Sequence, residues 1–275
     1  MTVTSVVAVV TIVHGRHDHL RRQLSSLRAG SRAPDRHVVV AMGDPALVRC
    51  LRGSSTTDVV VMDADCDRLP LAAARNAGAR RALDLGADAL VFLDVDCLAG
   101  PELVSGYERA VRIAPGTVWS GPVTYLPSQL DERALSQPWL LDAPHPARPA
   151  PAPGECVTGA DPDLFWSLSF ALSAEAWSRS GGFHEAYVGY GGEDTDFGRQ
   201  VAVRGLSLGW LGDARAYHQH HPVEDPPLRH LEDILRNGAI FRRRWGSWPM
   251  EGWLRDFEAI GLVRRVGEGW ERTPG

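Results

Sequence analysis

The chain has 275 residues, 44% of them hydrophobic and 23% charged, which is typical of a soluble globular protein with one large α/β domain or two small ones. Its net charge of −5 gives no indication of nucleic-acid binding, since proteins of that class usually present a basic face. The sequence contains no lysine, which excludes Schiff-base and P-loop lysines and leaves any bound phosphate to arginine, histidine, backbone amides or a metal ion.

The first hundred residues alternate between strand and helix patterns. Strands are predicted at residues 3–13, 37–41, 58–62 and Ala89–Leu93, and helices at residues 19–27 and 71–85. Continuous apolar strands separated by helices are typical of a parallel sheet that is covered on both faces. Because ligands bind beyond the carboxyl ends of the strands in such sheets, Asp44 and Asp94 should point into a binding crevice.

The second half of the chain is less regular. Strands are predicted at residues 118–125, 165–172 and 206–210, a short helix at Ala174–Ser180, and a helical tail from about residue 228. The proline- and alanine-rich stretch at 142–154 cannot pack as a helix or a sheet. We expect this stretch to be a mobile surface loop, and a lid over the functional site is the corresponding functional hypothesis.

The most informative segment is 189–197, which reads Gly-Tyr-Gly-Gly-Glu-Asp-Thr-Asp-Phe. It places Glu193, Asp194 and Asp196 directly behind a glycine pair at a predicted helix start. One acidic side chain would be enough to complement the helix dipole, by about 0.3–1 kcal/mol. Three of them in succession favour catalysis and metal binding over helix capping.

A second acidic pair, Asp94 and Asp96, follows the apolar strand Ala89–Leu93. Two carboxylates separated by one residue on a strand end point the same way, so both could face one divalent cation and its phosphates. The pattern Asp-x-Asp is also common in turns. Its position at the end of a parallel strand favours the functional interpretation.

Two further segments offer side chains for a metal ion or a phosphate. The run Tyr-His-Gln-His-His at 217–221 contains imidazoles, which suit Mn²⁺ or Zn²⁺; the alternative is an ordinary polar loop. One of these histidines could complete a mixed carboxylate–histidine site, whereas three neighbouring histidines cannot easily face one ion together. Arg75, at the start of a predicted helix, is either a solvated arginine or a guanidinium that reaches a nucleotide base or phosphate.

Taken in order, these motifs resemble the metal-dependent GT-A glycosyltransferases, especially those of family 2, and the second half resembles the galactosyltransferase C-terminal region. The resemblance runs from residue 6 to about residue 221. Its matching elements are Thr11 and His14-Gly-Arg16 after the first strand, Asp44 after the second, Ala-Arg-Asn-x-Gly at 74–78, Phe-Leu-Asp-Val-Asp at 92–96, and Gly-Gly-Glu-Asp at 191–194.

The resemblance implies an α/β fold of the GT-A type, with a mostly parallel central sheet flanked by helices. It implies a catalytic domain at 1–225, with a nucleotide-binding half at 1–98 and an acceptor half at 99–225. A helical C-terminal tail at 226–275 would pack on this domain. The implied activity is inverting transfer of a sugar from a UDP-sugar to an unidentified acceptor hydroxyl by direct displacement, with Mn²⁺ or Mg²⁺ as cofactor.

The same resemblance implies roles for individual residues. Asp194 would be the catalytic base, and Glu193 would lie near the donor sugar. Donor contacts are expected from Thr11, His14, Arg16, Asp44, Arg75, Asp94 and Val95. The expected metal ligands are Asp96 and His218, with His220 as the alternative. Acceptor contacts are expected from Trp166, Tyr190, Gly192 and Asp196.

Two other functions compete with this interpretation. A nucleotidyltransferase acting on a sugar phosphate would need a basic residue for the α-phosphate and would leave the segment 189–197 unexplained. A non-catalytic nucleotide-sugar-binding protein would have no need to keep both Asp96 and Asp194. We therefore favour the glycosyltransferase.

The remaining features concern location and assembly. The four cysteines show no CxxC spacing and are typical of reduced thiols in a cytosolic protein. The apolar run at 6–13 is too short to span a bilayer, so we expect no transmembrane segment and a cytoplasmic location. The tail tryptophans Trp245, Trp248 and Trp253 would pack in the core, form a homodimer surface, or make a peripheral contact with the inner face of the membrane.

Overall fold

A computed structural model describes residues 5–51 and 56–274, without the side chain of Cys50. Its strands are β1 (Val7–Val13), β2 (Arg36–Met42), β3 (Thr57–Met62), β4 (Ala89–Leu93), β5 (Cys97–Ala99), β6 (Thr117–Ser120), β7 (Val123–Tyr125), β8 (Cys156–Thr158), β9 (Ser169–Ser173), β10 (Ser207–Leu211), β11 (Ala216–His218), β12 (Val263–Val266) and β13 (Gly269–Arg272). Its helices are α1 (His17–Ala29), α2 (Ala46–Leu51), α3 (Leu71–Asp84), α4 (Leu103–Ile113), α5 (Glu132–Ser136), α6 (Ala174–Ser180), α7 (Glu193–Val203), α8 (Leu231–Trp245) and α9 (Glu251–Ala259). Positions 3 and 4 of the predicted first strand lie outside the described residues.

An eight-stranded sheet in the order β3-β2-β1-β4-β9-β6-β10-β8 forms the centre of the fold. Strands β3, β2, β1 and β4 pair in parallel, whereas β9 runs antiparallel between β4 and β6, and β8 is antiparallel at one edge. Every residue of β1 and β4 is buried, as their unbroken apolar sequence predicts for strands covered on both faces. The predicted mostly parallel sheet is confirmed.

Helix α3 lies close against this sheet because of a glycine. A Cβ atom added at Gly78 would lie 2.4 Å from Cγ1 of Val10, so no larger residue fits between helix and strand. This close packing holds the start of α3, and therefore Arg75, beside the carboxyl ends of the parallel strands.

The predicted strand at 118–125 is split in two. Residues 121 and 122 separate β6, which belongs to the large sheet, from β7, which belongs to a three-stranded sheet in the order β5-β11-β7. In this small sheet β11 pairs antiparallel with β5, and His218 lies opposite Cys97. The pairing brings a histidine from late in the sequence next to the acidic turn that precedes β5.

The C-terminal tail is only partly helical. Helices α8 and α9 are followed by an antiparallel hairpin of β12 and β13, so the expectation of an all-helical tail was wrong at its end. Buried apolar side chains of α8, α9 and the hairpin pack together, while Phe241 and Trp245 pack against the main core. The boundary at 225/226 stays a prediction. None of the helices within the described residues is long and apolar enough to cross a membrane.

The proline-rich stretch at 142–154 has no helix or strand, as predicted, but it is anchored to the domain. Arg148 is buried, and its Nη2 donates a hydrogen bond to the carbonyl oxygen of Gly121 at 3.3 Å. Its guanidinium carbon lies 5.0 Å and 4.6 Å from the ring centres of Trp166 and Trp210. Such an anchor argues against the freely mobile loop that the sequence suggested.

Candidate active site

The two aspartates after β4 face different partners. Asp94 and Asp96 follow the end of β4 rather than lying on the strand, and only Asp96 of the two belongs to a cluster that could hold a metal ion. Asp94 contacts Nη2 of Arg75 at 3.2 Å, whereas Asp96 forms an ion pair with Arg16. The acidic pair therefore serves two neighbouring parts of one cleft.

Among the described residues, Asp96, His218 and His221 form a cluster that could hold a metal ion. One potential ligand atom from each lies within 4.8 Å of the others, and both Nε2 atoms lie 3.5 Å from the Asp96 carboxylate. His220 is exposed and lies outside this cluster, so His221 takes the place that the sequence interpretation offered to His220. Burial raises the pKa of Asp96, but the two histidines and Arg16 outweigh it and lower that pKa overall.

Arg75 joins the acidic turn to the start of α7. Besides Asp94, its guanidinium contacts Glu193 at 3.4 Å and Asp194 at 3.8 Å. The side chain is 5% exposed, so the interpretation as a solvated arginine was wrong. Burial raises the pKa of Glu193 to about 7 and that of Asp94 to about 6, and neighbouring Asp194 contributes to both shifts. Arg75 opposes these shifts and holds the three carboxylates together.

Asp194 is more open to the cleft than its neighbour Glu193. Its side chain is 28% exposed, compared with 7% for Glu193. Ser167 orients the Asp194 carboxylate through its backbone N–H at 3.1 Å and its hydroxyl at 2.7 Å. A carboxylate that is oriented by hydrogen bonds and open on one side has the geometry of a general base.

Asp196 is not a cleft residue, contrary to its expected acceptor contact. The residue is fully buried, and one carboxylate oxygen, Oδ1, accepts hydrogen bonds from Arg244 Nε at 2.6 Å, Trp245 Nε1 at 2.7 Å and Tyr187 Oη at 3.0 Å. The side chain therefore ties α7 to the end of α8. Thr195, which the sequence interpretation did not select, lines the cleft instead.

Helix α8 also supports the glycine-rich loop before α7. The sequence analysis did not select the two α8 residues that do this. Asn237 Nδ2 donates hydrogen bonds to the carbonyl oxygens of Val188, Tyr190 and Gly191 at 3.2, 3.2 and 3.0 Å. The Asp233 carboxylate accepts a hydrogen bond from the backbone N–H of Tyr190 at 3.1 Å. The sequence pattern that could have indicated this role is the presence of polar residues, Asp233 and Asn237, on the buried face of an amphipathic helix.

Four residues expected to contact the donor are occupied elsewhere. Val95 packs in a buried apolar cluster, and Thr11 is fully buried. His14 Nδ1 lies 2.8 Å from the carbonyl oxygen of Met42. The Asp44 carboxylate contacts His17 at 2.7 Å and also accepts hydrogen bonds from the backbone N–H groups of residues 15 and 46. The structure does not bring these side chains into the cluster around Arg75 and Asp96.

Thr11 is hydrogen-bonded to Gln23, a further residue that the sequence analysis did not select. The Thr11 hydroxyl donates to Gln23 Oε1 at 2.8 Å and lies 3.0 Å from Nε2 of His37. Gln23 Nε2 in turn donates to the carbonyl oxygens of Asp94 at 2.7 Å and Cys97 at 3.0 Å. This buried chain fixes the backbone on both sides of the acidic turn.

The cleft consists of two adjoining cavities that share Leu71 and Tyr190 in their linings. One has a volume of about 330 Å³ and is lined by residues that include Arg16 and His221. The other has a volume of about 350 Å³, and its lining includes Arg75, Asp94, Trp166, Tyr190, Gly192, Glu193 and Asp194. The expected acceptor residues Trp166, Tyr190 and Gly192 therefore lie beside the expected base.

Comparison with solved structures matches this architecture to known enzymes. The two matches are GalNAc-T7 with UDP, GalNAc and Mn²⁺, and residues 1–349 of S. aureus TarS in complex with UDP. The TM-scores are 0.58 and 0.57, both at 13% identity, over 78% and 85% of this chain and 43% and 64% of those chains. The chain has the GT-A glycosyltransferase fold. At this identity the likeness concerns the fold alone.

Sequence comparison connects this GT-A chain to two curated relatives. Both are validoxylamine A glucosyltransferases, from Streptomyces hygroscopicus subsp. limoneus and subsp. jinggangensis (strain 5008). Each is 30% identical over 240 residues, which cover 73% of this chain and 49% and 52% of the relatives. The chain spans about half the length of the curated relatives it matches.

A family described as the N-terminal domain of galactosyltransferase matches residues 163–222 of the GT-A chain. The matched segment contains Glu193, Asp194, His218 and His221 but ends before α8. The sequence resemblance was attributed to a galactosyltransferase C-terminal region, and this finer attribution stays a prediction. The curated relatives to which this chain is similar are glucosyltransferases, and the family that matches part of it is a galactosyltransferase domain.

Proposed function

We propose that this protein is an inverting, metal-dependent glycosyltransferase that moves a sugar from a UDP-sugar to an acceptor hydroxyl. The observation that carries the proposal is an oriented carboxylate, Asp194, in one cavity and, in the adjoining cavity, His221, which belongs to the cluster with Asp96 and His218. The UDP complexes of the two similar structures and the glucosyltransferase activity of the relatives support the choice of donor class.

The side chains in the cluster fit a divalent cation. Oδ1 of Asp96 is buried and has no hydrogen-bond partner within the described residues, so it is available as a ligand. One carboxylate with two imidazoles suits Mn²⁺ better than Mg²⁺, which prefers oxygen ligands. Asp96, His218 and His221 would hold the ion, which when bound stabilises a departing diphosphate as a Lewis acid.

The donor would occupy the cavity beside this cluster. Arg16 and His221 line that cavity, and Arg16, which pairs with Asp96 but is 36% exposed, presents a cation to the diphosphate in a chain without lysine. Arg75 is already committed to Asp94, Glu193 and Asp194, so its role is to keep these carboxylates in place rather than to bind phosphate.

Asp194 would act as the general base. Its carboxylate takes the proton of the acceptor hydroxyl while that oxygen forms a bond to the anomeric carbon, and the bond from this carbon to the diphosphate oxygen breaks with its electron pair leaving on UDP. A single base opposite the leaving group gives inversion at the anomeric carbon. A second carboxyl that protonates the leaving oxygen, as in glycoside hydrolases, is unnecessary here.

The test is release of UDP from a panel of UDP-sugars with Mn²⁺, for the unmodified protein and for Asp194→Asn. The variant should bind UDP and Mn²⁺ normally by calorimetry, while turnover falls by about 10²–10⁴. Asp163→Asn, at an exposed ion pair with Arg199, is the matched control and should retain turnover. Near-normal turnover in Asp194→Asn would refute the assigned base, and release of pyrophosphate instead of UDP would favour a nucleotidyltransferase.

A further inference from the structure

The imidazole of His218, one of the three residues of the metal cluster, is held by other rings. Its Nε2 atom lies 3.5 Å from the Asp96 carboxylate, and its other nitrogen, Nδ1, makes no hydrogen bond with any of the described residues. The ring stacks on Tyr125, with a ring-centre distance of 4.6 Å and an angle of 27° between the planes, and its centre lies 5.1 Å from that of His221. A metal-binding histidine is usually oriented by a hydrogen bond from its second nitrogen. In this protein the stack on Tyr125 takes the place of that hydrogen bond.

Tyr125 is brought to His218 by the small three-stranded sheet. Strand β7 ends at Tyr125 and pairs in parallel with β11, which ends at His218, and these two residues lie opposite each other. Because residues opposite each other on paired strands project from the same face of a sheet, their rings meet. The backbone N–H of Leu126 donates a hydrogen bond to the carbonyl oxygen of His218 at 2.9 Å and fixes this register at the strand ends.

The proline-rich stretch at 142–154 packs against β7 and reaches the Tyr125 ring. The backbone N–H of His145 donates a hydrogen bond to the carbonyl oxygen of Val123 in β7 at 2.9 Å. The His145 ring meets the Tyr125 ring edge to face, with a ring-centre distance of 5.5 Å and an angle of 61° between the planes. Tyr125 therefore contacts two imidazoles, that of His218 on β11 and that of His145 on the proline-rich stretch.

Both ends of this stretch are tied to the residues that lead into β11. Nη1 of Arg215 pairs with the Asp142 carboxylate at 2.6 Å, and its Nη2 donates a hydrogen bond to the carbonyl oxygen of Pro151 at 3.1 Å. The backbone N–H of Gly154 donates a hydrogen bond to the Asp213 carboxylate at 2.6 Å. A segment that is fixed at both ends has the properties of a support rather than of a lid.

Resting on the proposed function, we propose that Tyr125 is a positioning residue for the metal ligand His218, and that residues 142–154 support Tyr125 rather than close over the cleft. The Tyr125 hydroxyl makes no hydrogen bond with the described residues, so the ring is the part that acts. Stacking restricts rotation of the His218 ring and keeps Nε2 directed to the space beside Asp96. An aromatic pair of this kind changes a binding constant about two- to tenfold. Tyr125 and residues 142–154 lie outside the segment that matches the galactosyltransferase family.

The stack itself is tested without metal or donor, by ¹H–¹³C NMR of the full chain labelled at its histidines. The ring current of Tyr125 should shift the ring protons of His218 to low frequency, and this signal is assigned by its loss in His218→Gln. Tyr125→Phe should keep the shifted signal, whereas Tyr125→Leu should return it to the range of the exposed histidines. The signals of the other histidines show that each variant is folded. A His218 signal in Tyr125→Leu equal to that of the unmodified protein would overturn the proposal.

The effect on the metal is measured by titration with Mn²⁺ in the presence of UDP, followed by EPR. Tyr125→Leu should weaken Mn²⁺ binding about tenfold, whereas Tyr125→Phe, which keeps the ring, should bind Mn²⁺ within about twofold of the unmodified protein. Because Tyr125 also lines the cavity of about 350 Å³, UDP binding is compared in EDTA and should be the same in Tyr125→Leu as in the unmodified protein. Equal weakening of Mn²⁺ binding in both variants would assign the effect to the hydroxyl, and weaker UDP binding in EDTA would assign it to direct contact. Either result would overturn the proposal.

The support from the proline-rich stretch is tested with His145→Ala, which should weaken Mn²⁺ binding about threefold because the edge contact with Tyr125 is lost. His184→Ala is the matched control, since His184 meets Tyr187 edge to face at 5.7 Å and lies outside the metal cluster. It should leave Mn²⁺ binding unchanged, and equal effects of the two variants would overturn the role of the stretch. Failure of UDP release from every UDP-sugar would instead refute the proposed function, because the NMR measurement depends on neither turnover nor a ligand.

Discussion

Replacement of Asp196 separates a structural role from the acceptor role that the sequence suggested. The Asp196 side chain is 1% exposed, and a single oxygen accepts three hydrogen bonds, from Arg244, Trp245 and Tyr187. Asp196→Ala removes a partly buried ion pair and leaves the Trp245 and Tyr187 donors without their acceptor, which costs about 2–6 kcal/mol at about 1–3 kcal/mol for each unsatisfied donor. Asp196→Asn keeps an acceptor oxygen but loses the charge, so about 1–2 kcal/mol is expected.

The loss of stability expected for Asp196→Ala is large compared with the total free energy of unfolding of a typical domain, about 5–15 kcal/mol. Urea unfolding followed by tryptophan fluorescence should therefore show a lower midpoint for Asp196→Asn and a much lower one for Asp196→Ala, with unchanged slopes. Asp163→Asn breaks an exposed pair with Arg199 and should cost less than about 1 kcal/mol. Unchanged unfolding of Asp196→Asn, together with a raised KM for the acceptor, would refute the structural role and restore the acceptor role.

Three further predictions concern the metal cluster, the acidic turn and pH. His221→Gln should weaken Mn²⁺-dependent binding of UDP by at least about tenfold in calorimetry, whereas His220→Gln should leave it unchanged; equal effects would contradict the cluster. Gln23→Met removes the hydrogen bonds that hold the Asp94 carbonyl and should weaken the same binding by about tenfold, and unchanged affinity would show that the turn does not need this support. Because the folded protein holds the pKa of Glu193 at about 7, above its usual value, the metal-free protein should lose stability as the pH rises from about 4.5 to 7. Glu193→Gln should flatten this dependence in urea unfolding, and an unchanged slope would contradict the raised pKa.

The sequence predicted the nucleotide-binding half of the fold well, because its elements depend on local patterns. Unbroken apolar runs such as Ala89–Leu93 can be satisfied only in a sheet covered on both faces, and the helix predicted at 71–85 forms as α3. The same local reasoning missed the hairpin of β12 and β13, and it joined β6 and β7 into one strand. Which sheet a short strand enters depends on partners far along the chain, and no local pattern records this.

For the site, the sequence by itself determined the chemistry of the segments: carboxylates after a glycine pair, an acidic pair after β4, and histidines after β10. Only the tertiary structure decided which of these groups meet. The pairing of β11 with β5 brings His218 beside Asp96; His221 joins this cluster, and His220 is exposed. Burial against α8 turns Asp196 into a support for the fold, while its neighbour Asp194 stays open to the cleft. The physical reason is that residue type sets what a side chain can bind, whereas burial and long-range contacts set whether anything else can reach it.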